Sequence, residues 1–300
     1  MLRIGISGWT YPPWRGVFYP AGLPHRAELG YAAERFGSIE VNGTFYALQR
    51  PTSFHQWSAV APPDFVFALK GGRFITHLKR LVDVEAPLAN FFASGVLALG
   101  SKLGPVLWQL PPNLEFDAAR LSAFFDLLPR DHRAAARLAA RHDDRLAPDR
   151  VLLESSVPDH PIRHALEVRH DSFRTPQLVR LATSAGIALV TADAPNRWPV
   201  ITEQTADFRY VRLHGADELY VSGYDSAALD RWAATLIEWS RSGTDCFVYF
   251  DNDAKVRAPY DALALIDRLS RLGADLPAAA AAPAAAPPAP PGPSTARPRR

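Results

Sequence analysis

Cysteine occurs once in this chain of 300 residues, as Cys246. A single cysteine excludes an intrachain disulfide and any metal site built on cysteine pairs. In its setting, DCFVYFD, the thiol reads as a small buried hydrophobe rather than a reactive group. Lysine is scarce as well: Lys70, Lys79, Lys102 and Lys255 are the only four. Arginine therefore supplies most of the positive charge, and 33 basic against 31 acidic residues leave a formal net charge of +2. So small a balance gives no global argument for nucleic-acid binding, and any electrostatic argument must be local. No apolar run reaches the roughly 18–20 residues that cross a bilayer. The opening MLRIGISGWT also lacks an apolar leader. Both absences predict a cytoplasmic protein with no membrane partner. Phosphate-cradling G-x-x-x-x-G-K-[S/T] and G-x-G-x-x-G loops are missing, as are the G-x-S-x-G nucleophile elbow and the H-E-x-x-H and H-x-H metal spacings.

What remains is a chain of ordinary globular composition, with enough apolar residues for a sizeable core. Short apolar runs at 2–7, 38–42, 65–70, 105–110, 165–169, 187–191, 208–214 and 246–251 have the length of buried strands. Helical patterns lie between most of them. Leu88, Phe91, Phe92 and Leu99 share one helical face; so do Leu229, Trp232, Leu236 and Trp239, and again Leu263, Ile266 and Leu269, with Gly273 as a stop. Eight strands alternating with helices predict an α/β fold, a single TIM-type (β/α)8 barrel over 1–276, with an open doubly wound sheet as the alternative. The stretch 131–164 is an oversized connection, with a helix predicted at 134–142. From 277 to 300 only Ala, Pro, Gly, Ser, Thr and Arg occur. That composition cannot offset its ordering entropy and predicts a disordered tail.

Period two separates the faces of each strand. Glu40 and Asn42 lie opposite Ile39 and Val41. Glu167 and Arg169 lie opposite Leu166 and Val168, and Tyr210, Arg212 and His214 opposite Val211 and Leu213. Lys70 ends its strand, and Gln109 faces away from Trp108 and Leu110. These polar residues are predicted to point into the barrel near its carboxyl-terminal mouth, where barrel enzymes assemble their sites. A network of buried ion pairs that only holds the barrel together is the competing reading. The loop GISGWTYPPWRGVFYP carries Trp9, Tyr11, Trp14, Phe18 and Tyr19. It suits the wall of a ligand pocket, or a lid packed on its own barrel.

Six stretches follow one another: GISGWTYPPWRGVFYP, SIEVNGTFYALQRPTSFHQW, FVFALKGGRFITHLKRL, ALEVRHDSF, YVRLHG and VYFDND. Over about residues 2–272 they resemble the YecE-like family, also called domain of unknown function 72. The resemblance implies a β/α barrel and supplies no established reaction. Two positions depart from the family pattern. Gly43 stands where a small polar residue is usual, and Asp251-Asn252-Asp253 stands where Asn-Asn-Asp is frequent. The second departure adds a carboxylate at a candidate ligand position.

The predicted mouth holds seven cationic candidates, Lys70, Arg73, His77, Arg169, His170, Arg212 and His214, against Glu40, Glu167, Asp193 and Asp251. An excess of cations there favours an anionic ligand gripped by guanidinium groups. Glu40, Glu167 and His214 are the candidates for acid–base catalysis. Trp9, Tyr11, Asn42, Lys70, Arg73, His77, Gln109, Arg169, His170, Arg212, Asp251 and Asn252 are the candidates for substrate binding. No cofactor is expected, because the arginines repel a cation; Glu167, Asp193, His214 and Asp251 are the set a divalent metal would use. Two function classes stay open. One is a hydrolase or lyase acting on a phosphorylated small molecule or nucleic-acid fragment. The other is a non-catalytic barrel that binds an anionic ligand or nucleic acid.

Overall fold

The computed structural model describes residues 1–195 and 197–278. Eight strands run β1 (Leu2–Ser7), β2 (Ser38–Val41), β3 (Val66–Lys70), β4 (Leu103–Gln109), β5 (His164–Glu167), β6 (Ala188–Asp193), β7 (Phe208–Leu213) and β8 (Asp245–Phe250). Each pairs in parallel with its neighbour in sequence, and β8 returns to β1, so the sheet closes into a barrel. Closure excludes the open-sheet alternative. Nine helices flank the barrel among the described residues: α1 (Glu28–Ala33), α2 (Gly43–Tyr46), α3 (Pro51–Val60), α4 (Glu85–Ala93), α5 (Ala118–Leu127), α6 (His132–Ala139), α7 (Pro176–Ala185), α8 (Ser226–Ser240) and α9 (Arg257–Arg271). No described helix is long and apolar enough to cross a membrane.

Alternation along the strands divides the core in two. Ile4, Ile39, Leu69, Trp108, Leu166, Val211 and Val248 face the helices. Ala68, Leu107, Ala165, Val190, Tyr210 and Tyr249 fill the inside of the barrel. Cys246 lies on the outer face and is buried, and burial pushes its thiol up to about 11, so it stays an unreactive thiol at neutral pH. Helix starts follow capping chemistry. Asp117, Asp131, Thr175 and Asp225 each accept a backbone N–H at the start of α5, α6, α7 and α8.

The helix expected to carry Leu88 through Leu99 breaks. α4 ends at Ala93, Gly95 takes φ +114°, and Leu99 sits on a separate 3-10 segment, Val96–Lys102. The helix expected at 134–142 starts and ends earlier, as α6. At the C-terminal end, Leu2 donates its backbone N–H to Asp275 O at 2.8 Å, and Ala278 donates to Asp64 Oδ2 at 2.9 Å. Pro277, the first residue assigned to the tail, is buried against Gly37. The rest of that assignment, 279–300, lies outside the described residues.

Candidate functional site: a charged layer beneath a cleft

Closure lines up the last inward residue of several strands. Ser7 stands opposite Glu40, and Gln109 opposite Glu167. At the centre is Arg212, with no solvent exposure. Its Nε and Nη2 grip Glu40 with two hydrogen bonds, of 3.0 and 2.8 Å. Its Nη1 donates to Glu167 at 2.8 Å and its Nη2 to Asp251 at 2.8 Å. Ser7 Oγ and Tyr210 OH also donate to Glu40. Arg169 completes the layer. Its Nε donates to Glu167 at 2.8 Å and its Nη2 to Gln109 at 3.0 Å, while its guanidinium lies 3.7 Å over the Trp198 ring.

The charges decide the protonation states. Burial alone would raise Glu167 and Asp251. Arg169 and Arg212 outweigh it at Glu167, and Arg212 foremost outweighs it at Asp251, so both carboxyls fall well below the usual range. His214 is buried between Trp198 and Tyr220. Its Nδ1 lies 3.1 Å from Asp251 Oδ2 at an angle outside a hydrogen bond. Burial, above all, lowers its pKa, so the ring is neutral at pH 7.

Above this layer opens a cleft of about 1020 Å3. It lies where barrel ligands sit, at the carboxyl ends of the strands. Trp9, Tyr11, Phe45, Tyr46 and Trp57 supply its aromatic walls. The aromatic loop divides between core and cleft. Trp14, Phe18 and Tyr19 pack down into the core, while Trp9 and Tyr11 face the cleft. Asn42, Lys70, Arg73, His77, Gln109, Arg169 and Asp251 also line it. His77 sits on a turn of π-helix, Phe74–Leu78. Burial first, then Arg169 and Lys70, hold it at about 4, so it is no cation at neutral pH.

Lys70 differs from the paired charges of the layer beneath it. It is 9% exposed, and among the described residues its Nζ has no hydrogen bond and no ion pair. Its nearest aromatic partner is Phe45, whose ring centre is 4.6 Å away. Burial and then Arg212 lower its ammonium to about 8, against the pull of Glu40, Asp251 and Glu167. Asp253, also in the cleft, is raised to about 6 by burial and by Asp251.

Several expected site residues stand elsewhere. Glu40, Glu167, His214 and Arg212 lie beneath the floor and line none of the cleft. They belong to the layer beneath it. Asn252 faces outward, donating to Ser222 O and Asp261 Oδ2. Asp193 also faces outward, accepting from Trp232 Nε1 at 3.0 Å, so the proposed four-ligand metal set does not converge. Among the described residues no group of three metal-binding side chains is placed to hold an ion. His170 caps a short 3-10 turn through Ser172 and does not line the cleft. The expected excess of cations also disappears from the layer itself: Arg169 and Arg212 pair with Glu40, Glu167 and Asp251, and Lys70, unpaired beside them, makes the count three against three. Ser7, Trp198, Tyr220 and Asp253 were missed. Period two on β1 marks Ser7, and Asp253 lies within VYFDND. Trp198 and Tyr220 sit on loops with no periodicity to reveal them.

Comparisons agree with this architecture. A sequence profile described as "Protein of unknown function DUF72" matches residues 3–287. The chain is 24% identical over 263 residues to UPF0759 protein YecE of Escherichia coli strain K12, covering 81% of this chain and 84% of that one. It is 23% identical over 283 residues to UPF0759 protein YunF of Bacillus subtilis, covering 85% and 89%. A crystal structure of a DUF72 family protein from Thermotoga maritima matches with TM-score 0.72 and 25% identity, over 90% of this chain and 99% of that one. Another, from Enterococcus faecalis, has TM-score 0.69 and 15% identity, over 90% and 95%, and shares the fold.

Proposed function

This chain belongs to the DUF72 family of proteins of unknown function, and on that premise we propose that its cleft takes up a small organic anion, phosphorylated or carboxylated, and acts on it as a lyase or hydrolase. The observation that carries the reading is Lys70, whose side chain is nine-tenths buried and whose Nζ opens on the cleft with no acceptor among the described residues. A buried charge without a partner costs several kcal/mol. Such a cost is offset when a ligand supplies the missing acceptor. Arg169 faces the same cleft, and its Nη1 has no acceptor among the described residues. The aromatic walls suit a ligand with a flat or ring-shaped body.

Three cations, Lys70, Arg73 and Arg169, face the cleft against Asp251 and Asp253. An excess of this size fits one anionic group better than a nucleic-acid backbone, which needs many. Lys70 at about 8 and Asp253 at about 6 flank neutral pH. Groups tuned to either side of the working pH give and take protons readily, which favours turnover over passive binding.

The test is calorimetric titration of the full chain with inorganic phosphate, sugar phosphates, nucleoside monophosphates and short oligonucleotides. We expect binding of a small anion that weakens with salt. We expect Lys70→Met to lower that affinity by roughly 10- to 100-fold, as for loss of a hydrogen bond to a charged group. A parent that binds no member of the panel, or a K70M variant that binds as tightly as the parent, defeats the reading.

A further inference from the structure

The cleft presents an amine in conditions that change what an amine can do. Lys70 leaves the end of β3 on the inward face, directly after Ala68 in the same row. Its stem is buried and its Nζ reaches a cleft walled by Phe45. The charged groups bearing on it come from four other elements. Arg212 of β7 disfavours the ammonium, while Glu40 of β2, Glu167 of β5 and Asp251 after β8 favour it. None of these holds Nζ in a hydrogen bond, so the lone pair of the neutral amine is not tied to a protein donor. Desolvation beside another cation is the setting that converts a lysine from a point charge into a nucleophile.

We propose that Lys70 condenses with the carbonyl carbon of a small anionic aldehyde or ketone in this cleft, forming a protein-bound imine. This inference rests on the anion-binding reading of the cleft and names the ligand class within it. The neutral amine donates its lone pair to the carbonyl carbon and a C–N bond forms. The π pair moves to oxygen, which takes a proton, and the nitrogen gives one up, leaving a carbinolamine. A second proton converts the hydroxyl to a leaving water, and the nitrogen lone pair closes the C=N bond. One water is released, and no oxidant or reductant is needed. Asp253 lines the same cleft and supplies the carboxyl that delivers and recovers these protons. At pH 7 about a tenth of Lys70 is the free amine, given its value of about 8. That is far more than an ordinary lysine provides. The resulting iminium withdraws electrons from the adjacent carbon, which suits lyase chemistry next to a carbonyl. Arg169 remains available to hold the anionic group with its fork of N–H donors.

The scarcity of lysine makes the test clean. The full chain is incubated separately with pyruvate, dihydroxyacetone phosphate and pyridoxal 5′-phosphate, then reduced with cyanoborohydride and mapped by peptide mass spectrometry. The expected result is a reduced adduct on Lys70 with at least one probe. It should form at least ten times faster than on the half-buried Lys79 and the exposed Lys255, and faster at pH 8 than at pH 6. Lys70→Arg, shown to be folded by circular dichroism, should abolish the adduct. If the parent binds phosphate but labels only Lys79 and Lys255, the imine inference falls and the anion-binding reading stands. If the parent neither binds an anion nor forms the adduct, both fall.

Discussion

Two buried cations carry opposite energetic meanings. Arg212 is fully desolvated, yet Glu40, Glu167 and Asp251 engage it through four short contacts. Removing it leaves carboxylates facing one another with the central charge gone. Lone charges left by breaking a buried pair cost roughly 3–5 kcal/mol, so Arg212→Met is expected to lower the unfolding free energy measured in guanidinium by an amount in that range; a loss under about 1 kcal/mol would mean that water enters and screens the layer. Lys70 should behave the other way. Its ammonium is depressed to about 8 when folded and titrates near 10.4 when unfolded. Below pH 8 both states are charged, and folding bears the full cost of burying the charge. Between about pH 8 and 10.4 the unfolded chain binds the extra proton, so stability rises with pH across that window. Lys70→Met is therefore expected to raise the thermal midpoint at pH 7 and to gain less over the parent at pH 10. A destabilised K70M protein would show that the lysine serves the fold rather than a ligand.

At the scale of the element, strand parity was legible and the ends of strands were not. Glu40, Glu167 and Arg212 point inward as alternation requires. The same rule places Asp193 with Leu189, and Asn252 with Phe250, on the outer face, and the structure agrees. Asp193 points to the mouth only as the end of a strand, and Asn252 only as a member of the Asp251-Asn252-Asp253 motif; both criteria are weaker than the face a residue shares. The break after α4 has a different cause: helical periodicity runs through Gly95, but tertiary contact does not allow the helix to continue. Gly95 has φ +114°, and a Cβ there would lie 2.5 Å from Pro51 Cα. Gly186, which ends α7 at φ +62°, has open space around its missing Cβ. Gly95→Ala should therefore cost about 2–4 kcal/mol, through overpacking added to backbone strain. Gly186→Ala should cost only about 1 kcal/mol, for the backbone conformation alone. Equal losses in urea unfolding would show that the loop around Pro51 yields.

At the scale of the whole molecule, the chain ends brace the bottom of the barrel. Met1 lies 3.2 Å from Asp245, Leu2 bonds to Asp275, and Ala278 bonds to Asp64. A protein ending at Ala278 is expected to melt with the full chain, since residues 279–300 contain no bulky apolar side chain. One ending at Leu272 should melt several degrees lower, because β1 loses its partner at Asp275 and Gly37 loses the cover of Pro277. A shorter chain that melts unchanged would show that the closure contributes nothing.

The order of residues specified the eight strand segments, the inward row of charges and the aromatic loop, because strand alternation and local composition are properties of neighbouring residues. Only the closed barrel decided which charges meet. Glu40 and Arg212 are 172 positions apart and Glu167 and Arg212 are 45 apart, and no local pattern encodes such pairings. Closure used up Glu40, Glu167 and Arg212 on one another, added Asp251 to their balance, and left Lys70 as the buried charge with no acceptor among the described residues. An ionic site is defined by which groups remain unpaired, and that depends on distances across the barrel that the order of residues does not contain.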